Sequence, residues 1–440
     1  MLLKMNARRM PGSHAGHLEH PRQRHSTAGD GRLHSHGWVI AGLLLVLFFG
    51  GCATAPTVYR EPPKLAVEDR VEANLKVFDK AWSLVDRNYF DPKFRGVDWR
   101  AQRERYRPEA AAAADDDALY RVINRMAAEL KESHLAALSP RRTHEFSSGF
   151  RVAAGFTWQV VEGRLVVTRV VPGSPAELAG IKPGWVVVSR NGIEFSAEPR
   201  RDSFVARMGE AIRFVFLDEH EQRRELELQP QPLKFEQRVA RVLPDGTLYL
   251  RFDEFTTLES TSWLSEQLKM HRAAPAAVID LRQNPGGKMF GLRMAVAEFF
   301  EHRVLIGHMV KRSGRDGLRS SLSLLSAKFP GRVVLLVGPN TGSAAEIFAH
   351  VLQHEHRATV VGRKTAGAVV SSLFYSLPGG GKMQVPFCDY VGVDGRRLEG
   401  RGVTPDVEVR ATLADLRAGI DAELEAALAE SKKIAVARGR

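Results

Sequence analysis

The sequence predicts a multidomain α/β protein with its domains in series along the chain. Three observations predict it. The apolar periodicity is helical over about residues 71–140, turns to strand-like from about Gly149, and becomes an alternation of strands and helices over 230–410. The chain has 440 residues, enough for two or three domains and a large core. Its composition, 44% hydrophobic and 26% charged, is that of an ordinary globular protein.

The first 52 residues stand apart. Residues 38–51, "WVIAGLLLVLFFGG", form an uncharged apolar run of 14, short for a membrane span and suited to a signal-peptide core. Gly50 and Gly51 then precede Cys52, which resembles a bacterial lipobox, although Phe49 replaces the usual Leu. Residues 1–52 are therefore read as a lipoprotein signal peptide with Cys52 as the lipidated residue. Membrane contact would run through that lipid anchor. Ala53 after Cys52 is not the acidic residue associated with inner-membrane retention, so the expected location is the periplasmic side of the outer membrane. With Cys52 lipidated, Cys388 is the one thiol left, and no intrachain disulfide can form. Cys388 lies in the strand-like "MQVPFCDY" and reads as a small buried apolar residue.

The net charge is +12. Residues 1–51 hold six Lys/Arg and two acids, which leaves +8 for the remainder, spread rather than blocked. No basic helix with interleaved aromatics is present, so nucleic acid is not an expected partner.

Residues 53–70 mix Ala, Pro, Thr and charge and read as a tether. A helical domain follows over 71–148. One helix places Leu75, Phe78, Trp82 and Val85 at spacings of three and four; a second carries Leu119, Val122, Ile123, Met126 and Leu130 on one face and stops at Ser133 and His134. Residues 149–230 alternate strand and turn. Within them, "PGSPAELAGIKPGWVVVSRNG" resembles a PDZ domain of the bacterial, protease-associated kind, with Trp185 where that family has Asp. The resemblance implies binding of extended peptides or C-termini at a sheet edge, with Gly155 and Phe156 in the carboxylate-binding loop. Residues 231–410 carry the strands "GTLYLRF", "AAVIDL", "RVVLLVG" and "ATVVG" between helices, a rhythm that implies parallel strands with functional groups at their carboxyl ends. Residues 411–440 read as a charged helical tail.

Two loops fall where such a sheet places its chemistry: "RQNPGG" at 282–287 and "PNTGS" at 339–343. Read locally, "SAAE" from Ser343 to Glu346 is a capping box. The same Ser343 sits at a strand-to-helix turn among Gly342, Ala344 and Ala345, where a nucleophile would be exposed beside helix N–H groups. Both readings stand on the local pattern. A nucleophilic serine needs a base. His350, His354 and His356 read as a solvated helix end with no third metal ligand. His134 ends an amphipathic helix beside Ser133, just before an apolar run.

The ordered set "FDKAWSLVDRNYF…GVDW", "ELKESHL", "DLRQNPGG", "GSAAEIFAHVLQ…ATVVGRKTAGA" and "LEGRGVTPDVEV" resembles the C-terminal processing (tail-specific) serine peptidases, and more closely their tricorn-core-like branch. The resemblance spans about 71–410 and implies a helical cap, a PDZ-like domain and a ClpP/crotonase-like β-α core. The Ser/Lys branch of that family carries its Lys where this chain has Ala368, 25 residues beyond Ser343. The tricorn-like branch uses Ser-His with a second Ser and a carboxylate, matched here by Ser133, His134 and Glu399. The implied roles are Ser343 as nucleophile and His134 as base, oriented by Glu399 through the Ser133 hydroxyl. Ala344 and Gly286 or Gly287 would supply the oxyanion hole. The implied substrates are extended or unfolded polypeptides, with no metal and no cofactor; a homo-oligomer is allowed. Two rival readings remain: a non-proteolytic PDZ-type scaffold, and a Ser/Lys peptidase using Lys364 or Lys382.

Overall fold

A computed structural model describes residues 59, 65–195, 206–234, 238–321 and 328–433. The expected signal peptide, Cys52 and most of the expected tether lie outside the described residues. No described helix is long and apolar enough to cross a membrane.

The core is a six-stranded sheet in the order Arg238–Val242, Leu248–Phe252, Ala276–Asp280, Arg332–Val337, Ala358–Gly362, Val407–Glu408. The first pairing is antiparallel and the other four are parallel. Each strand's side chains alternate between two apolar layers, as a pleated strand requires. Leu248, Leu250, Phe252, Ala277, Ile279, Val333, Leu335 and Val337 meet the helices Leu258–Met270, Met289–Ala297 and Ala344–His354 on one face. Tyr249, Val278, Val334, Leu336 and Val361 meet Ala427 of the helix Ala422–Lys432 on the other. Coverage on both faces explains why these strands read as continuous apolar runs. The expected charged tail is therefore a structural layer: its polar sequence hides a single buried seam, with Ala427 fully enclosed.

A second sheet, all antiparallel, is organised on the strand Lys382–Gly392, which pairs with Ala136–Leu138, Ser371–Ser376 and Leu305–Lys311. Ala136–Leu138 was expected in the helical domain. It is a strand of this sheet, so the 148/149 boundary falls well after the chain has already entered the core. The helices Val67–Asn88, Trp99–Ala111 and Asp116–Ala128 pack on the same sheet, sharing one cluster with Val370, Leu377, Met383 and Val385. The first of these helices begins at Val67, inside the expected tether, and the second was not anticipated.

Residues 156–228 form an antiparallel β unit of strands Phe156–Val161, Arg164–Val170, Val186–Arg190, Ile212–Leu217 and Arg223–Leu228, with the short helix Pro175–Leu178. Its neck is the pair Arg151–Ala153 and Gln231–Leu233, so the expected 230/231 boundary cuts a strand pairing. Trp185 packs on Phe216 and donates its indole N–H to Glu219 at 2.7 Å. The helix Leu413–Ala418 fastens the unit to the rest: Leu413 packs with Val161, Val166 and Val186, and Arg417 donates to the Gly184 carbonyl.

Candidate active site

Ser343 follows the strand Arg332–Val337 and precedes the helix Ala344–His354. Its backbone sets it apart. The caps Asp98, Asp115, Ser139, Ser174, Thr257, Thr412 and Asp421 all have negative φ and accept a helix N–H on the side chain. Ser343 has φ 51° and ψ −121°. An ordinary N-cap sits in the extended region. The strained alternative costs about 1–3 kcal/mol and persists only when its surroundings enforce it. Ser343 Oγ lies near the Glu346 amide, as a capping box would have it, but makes no cap hydrogen bond; that amide donates to the Ser343 carbonyl at 3.0 Å.

Two buried side chains enforce the turn. Glu346, fully enclosed, accepts from Ser343 N–H at 3.1 Å, Thr365 Oγ1 at 2.5 Å, Gly367 N–H at 2.6 Å and Ala368 N–H at 2.8 Å. Burial pushes its carboxyl up from the usual range, and these four donors oppose that rise. Asn284, also fully buried, donates to the Phe252 carbonyl at 2.7 Å and accepts from Gly286 N–H at 2.8 Å; its own carbonyl accepts from Gly342 N–H at 3.0 Å. It ties the "NPGG" turn to the serine turn. Neither residue was assigned a site role from sequence. The Asn before Pro-Gly-Gly was a readable turn signal, whereas the buried contacts of Glu346 involve partners some twenty residues away.

Gly286 packs directly on the serine. A Cβ there would lie 2.6 Å from Ser343 Cβ and 2.8 Å from Ala344 N, with φ at +104°. Its N–H is spent on Asn284, so of the two glycines named for an oxyanion hole, Gly286 has no free donor. The amides of Gly287 and Ala344 donate to no group among the described residues. The geometry therefore leaves Gly287 and Ala344 as the available pair.

Ser133 and His134 sit in the turn between the helix Asp116–Ala128 and the strand Ala136–Leu138. Ser133 Oγ is 2.7 Å from His134 Nδ1. Glu399 is buried and accepts from Ser133 N–H at 2.9 Å, Val369 N–H at 2.6 Å and Val370 N–H at 3.2 Å. The expected contact of Glu399 with the Ser133 hydroxyl is replaced by one with its backbone amide. A second anchor lies beside it: Glu132 accepts from Arg397 at 3.2 Å and from Tyr89 Oη at 2.8 Å. Burial pushes the half-buried His134 below the ordinary imidazole range, and the Glu399 charge offsets part of that shift.

The segment 368–370 joins the two halves. Ser343 N–H donates to the Ala368 carbonyl at 2.8 Å, and the next two amides bind Glu399. No hydrogen bond joins Ser343 Oγ to His134 among the described residues.

Other expected residues fall elsewhere. Lys364 is exposed in a cleft whose walls include neither Ser343 nor His134. Lys382 is a sheet residue opposite Leu138 and Ser376. His354 and His356 are exposed as expected, but His350 is buried, with Nε2 3.6 Å from Asp394 Oδ1. Gly155, at φ +100°, lies against Ser174, and its carbonyl accepts from Val171 N–H. Phe156 turns its ring into the β unit against Phe214 and Phe216. Cys388 is fully buried and its thiol is pushed up to about 11 by burial.

A serine at positive φ on a helix start, two amides without an acceptor among the described residues, and a Ser-His turn anchored on a buried carboxylate are the parts a serine hydrolase uses. Residues 246–409 match the model of peptidase family S41, and residues 72–128 match the tricorn protease C1 domain. Residues 246–409 are thus a peptidase family S41 domain, and by that match the chain is a serine peptidase. It is 25% identical over 414 residues to a carboxyl-terminal-processing protease of Synechocystis sp., covering 89% of this chain and 92% of that one. It is 22% identical over 376 residues to a probable CtpA-like serine protease of Staphylococcus epidermidis, covering 84% and 72%. Among solved structures, the photosystem II D1 C-terminal processing protease superposes with a TM-score of 0.56 at 22% identity, over 77% of this chain and 93% of that one. The tricorn protease superposes with 0.51 at 18%, over 82% and 37%.

Proposed function

We propose that this chain is a C-terminal-processing serine endopeptidase that cleaves extended or unfolded polypeptides, with Ser343 as nucleophile and His134 as base. The observation that carries the residue assignment is the Ser343 backbone at φ 51°, ψ −121°, unlike the negative φ of the side-chain caps elsewhere in the chain. In the substrate complex His134 closes onto Ser343, takes its proton, and returns it to the leaving amine. Gly287 and Ala344 N–H hold the oxyanion. Glu399 positions the Ser133–His134 turn and favours the imidazolium that forms. In this reading the β unit at 156–228 is a PDZ-type domain that selects polypeptide C-termini. The "PGSPAELAGIKPG" pattern and the tight Gly155 turn support it. The lipobox-like Cys52 supports a lipoprotein on the periplasmic side of a bacterial outer membrane.

The test is cleavage of casein and of a tailed peptide by the wild type and by Ser343→Ala, His134→Ala and Lys364→Ala. The proposal requires loss in the first two variants and activity in the third. Equal cleavage by the wild type and Ser343→Ala would sink it. A non-proteolytic scaffold is the second reading, favoured by the open Ser343–His134 pair; it requires no cleavage by the wild type on any tailed substrate.

A further inference from the structure

A cleft of about 450 Å³ lies behind the catalytic loops, at the far end of the Ser343 helix. Four of its lining residues are cations, Lys364, Arg396, Arg397 and Arg401, against the single carboxylate Asp394. Arg396 is paired with Asp394, and Arg397 with Asp389 and Glu132. Lys364 and Arg401 have no ion pair and no side-chain hydrogen bond among the described residues. His350 also lines the cleft. It is 4% exposed; its Nε2 makes no hydrogen bond but lies 3.6 Å from Asp394 Oδ1. A buried polar atom without a partner needs an explanation. The Asp394 carboxylate on the same wall accounts for His350, whereas Lys364 and Arg401 remain as exposed, unpaired cations of the cleft.

The walls of this cleft connect to both halves of the active site. Val403 N–H donates to Thr365 Oγ1 at 2.7 Å, and Thr365 donates to Glu346, which holds Ser343 N–H. Gly400 N–H donates to the Gly367 carbonyl at 2.7 Å, and the neighbouring Glu399 holds Ser133 N–H. Lys364 therefore rides on the loop that supports Ser343, and Arg401 on the loop that supports His134.

We propose that this cleft is an oxyanion-binding site for a phosphate group, and that the bound phosphate, held between Lys364 and Arg401, clamps the 364–370 and 398–402 loops together and tunes cleavage. The charge is that of a phosphate site: an unpaired guanidinium and an unpaired ammonium on a polar cleft. A free phosphate compound and the headgroup of an anionic phospholipid share this chemistry. The modulation of cleavage rests on the peptidase reading above; the binding does not.

The experiment uses the full chain in a neutral detergent, at constant ionic strength set with chloride. Inorganic phosphate binding is measured by calorimetry and thermal shift, and tailed-peptide cleavage is measured with and without it. A second arm replaces phosphate with phosphatidylglycerol vesicles, with phosphatidylcholine vesicles as the neutral comparison. Saturable binding is expected in at least one arm, with a rise in melting temperature and a changed cleavage rate. Lys364→Ala/Arg401→Ala should lose these responses, with binding roughly tenfold weaker for each cation removed. Lys269→Ala, an exposed cation elsewhere, should keep them. If the double variant fails to fold, Lys364→Gln alone carries the same comparison. A response to vesicles but not to phosphate identifies the lipid headgroup as the source. No binding in either arm, or equal binding by the double variant and the wild type, overturns the site. Binding that is lost in the double variant while the wild type cleaves nothing keeps the site and removes the peptidase reading.

Discussion

The two halves of the active site are built differently. The Ser343 half is made from neighbouring elements of one sheet: the end of Ala276–Asp280, the turn that Asn284 fixes, and the strand-helix junction that Glu346 anchors. Its supports are fully buried and each is held by several donors or acceptors. The His134 half is assembled from three distant segments, around Glu132, Val369 and Glu399, and its Ser133 is exposed. The proposed nucleophile and its amides are thus held by the core, whereas the proposed base depends on a docked turn. That difference assigns reactivity to one half and adjustment to the other.

The largest test of the comparison is Ser343→Ala, which should reduce kcat on the order of 10⁴-fold or more while leaving the melting temperature within a few degrees. A residual rate near wild type would move the nucleophile elsewhere. Next is Gly286→Ala. The added Cβ meets Ser343 Cβ and the Ala344 amide, so kcat should fall by about 10²–10³-fold, the cost of disturbing an oxyanion donor. If instead the variant keeps its rate, the Ser343 half is softer than its packing implies.

Glu399→Gln probes the docked half. It keeps the shape but places an amide NH₂ among backbone donors and removes the charge that favours imidazolium. A fall in kcat of roughly 10–100-fold is expected. The pH profile supplies the sign. Only neutral His134 accepts a proton, and its pKa lies below the ordinary value of about 6.5. Activity in the wild type should therefore decline only as pH falls below that value, and in Glu399→Gln the acidic limb should move lower still. A limb that stays in place would remove Glu399 from contact with the base.

Arg397→Ala is the smallest effect on chemistry. Tyr89 and Arg95 still hold Glu132, so the turn loses one of its anchors. Unfolding should shift by about 1–3 kcal/mol, with kcat reduced several-fold and the serine half still reactive toward a small irreversible phosphonate. Equal loss of phosphonate labelling and of peptide cleavage would show that the two halves are not separable.

Much of the fold was legible in the sequence because its signals are local. The core strands were apolar runs bounded by turn residues, and "SAAE" marked a helix start whichever role Ser343 plays. The helix Trp99–Ala111 was missed because its sequence, "WRAQRERYRPEAA", is dominated by charge and carries a Pro, and its burial rests on Trp99, Tyr106 and Ala110 alone. The terminal helix Ala422–Lys432 was read as a tail for the same reason. His350 was read as solvated because the segment 350–356 is polar and turn-like; only the packing of the helix interior placed it inside.

The sequence by itself determined the order of the elements, the glycine turn, the serine at a helix start and the Ser-His pair, since each depends on a few adjacent residues. Only the tertiary structure decided that Ser343 takes a positive φ, that Gly287 and not Gly286 keeps an amide without an acceptor among the described residues, and that Glu399 reaches Ser133 through the backbone. Each of those outcomes depends on which hydrogen-bond partner arrives from a distant segment, and no local pattern specifies that.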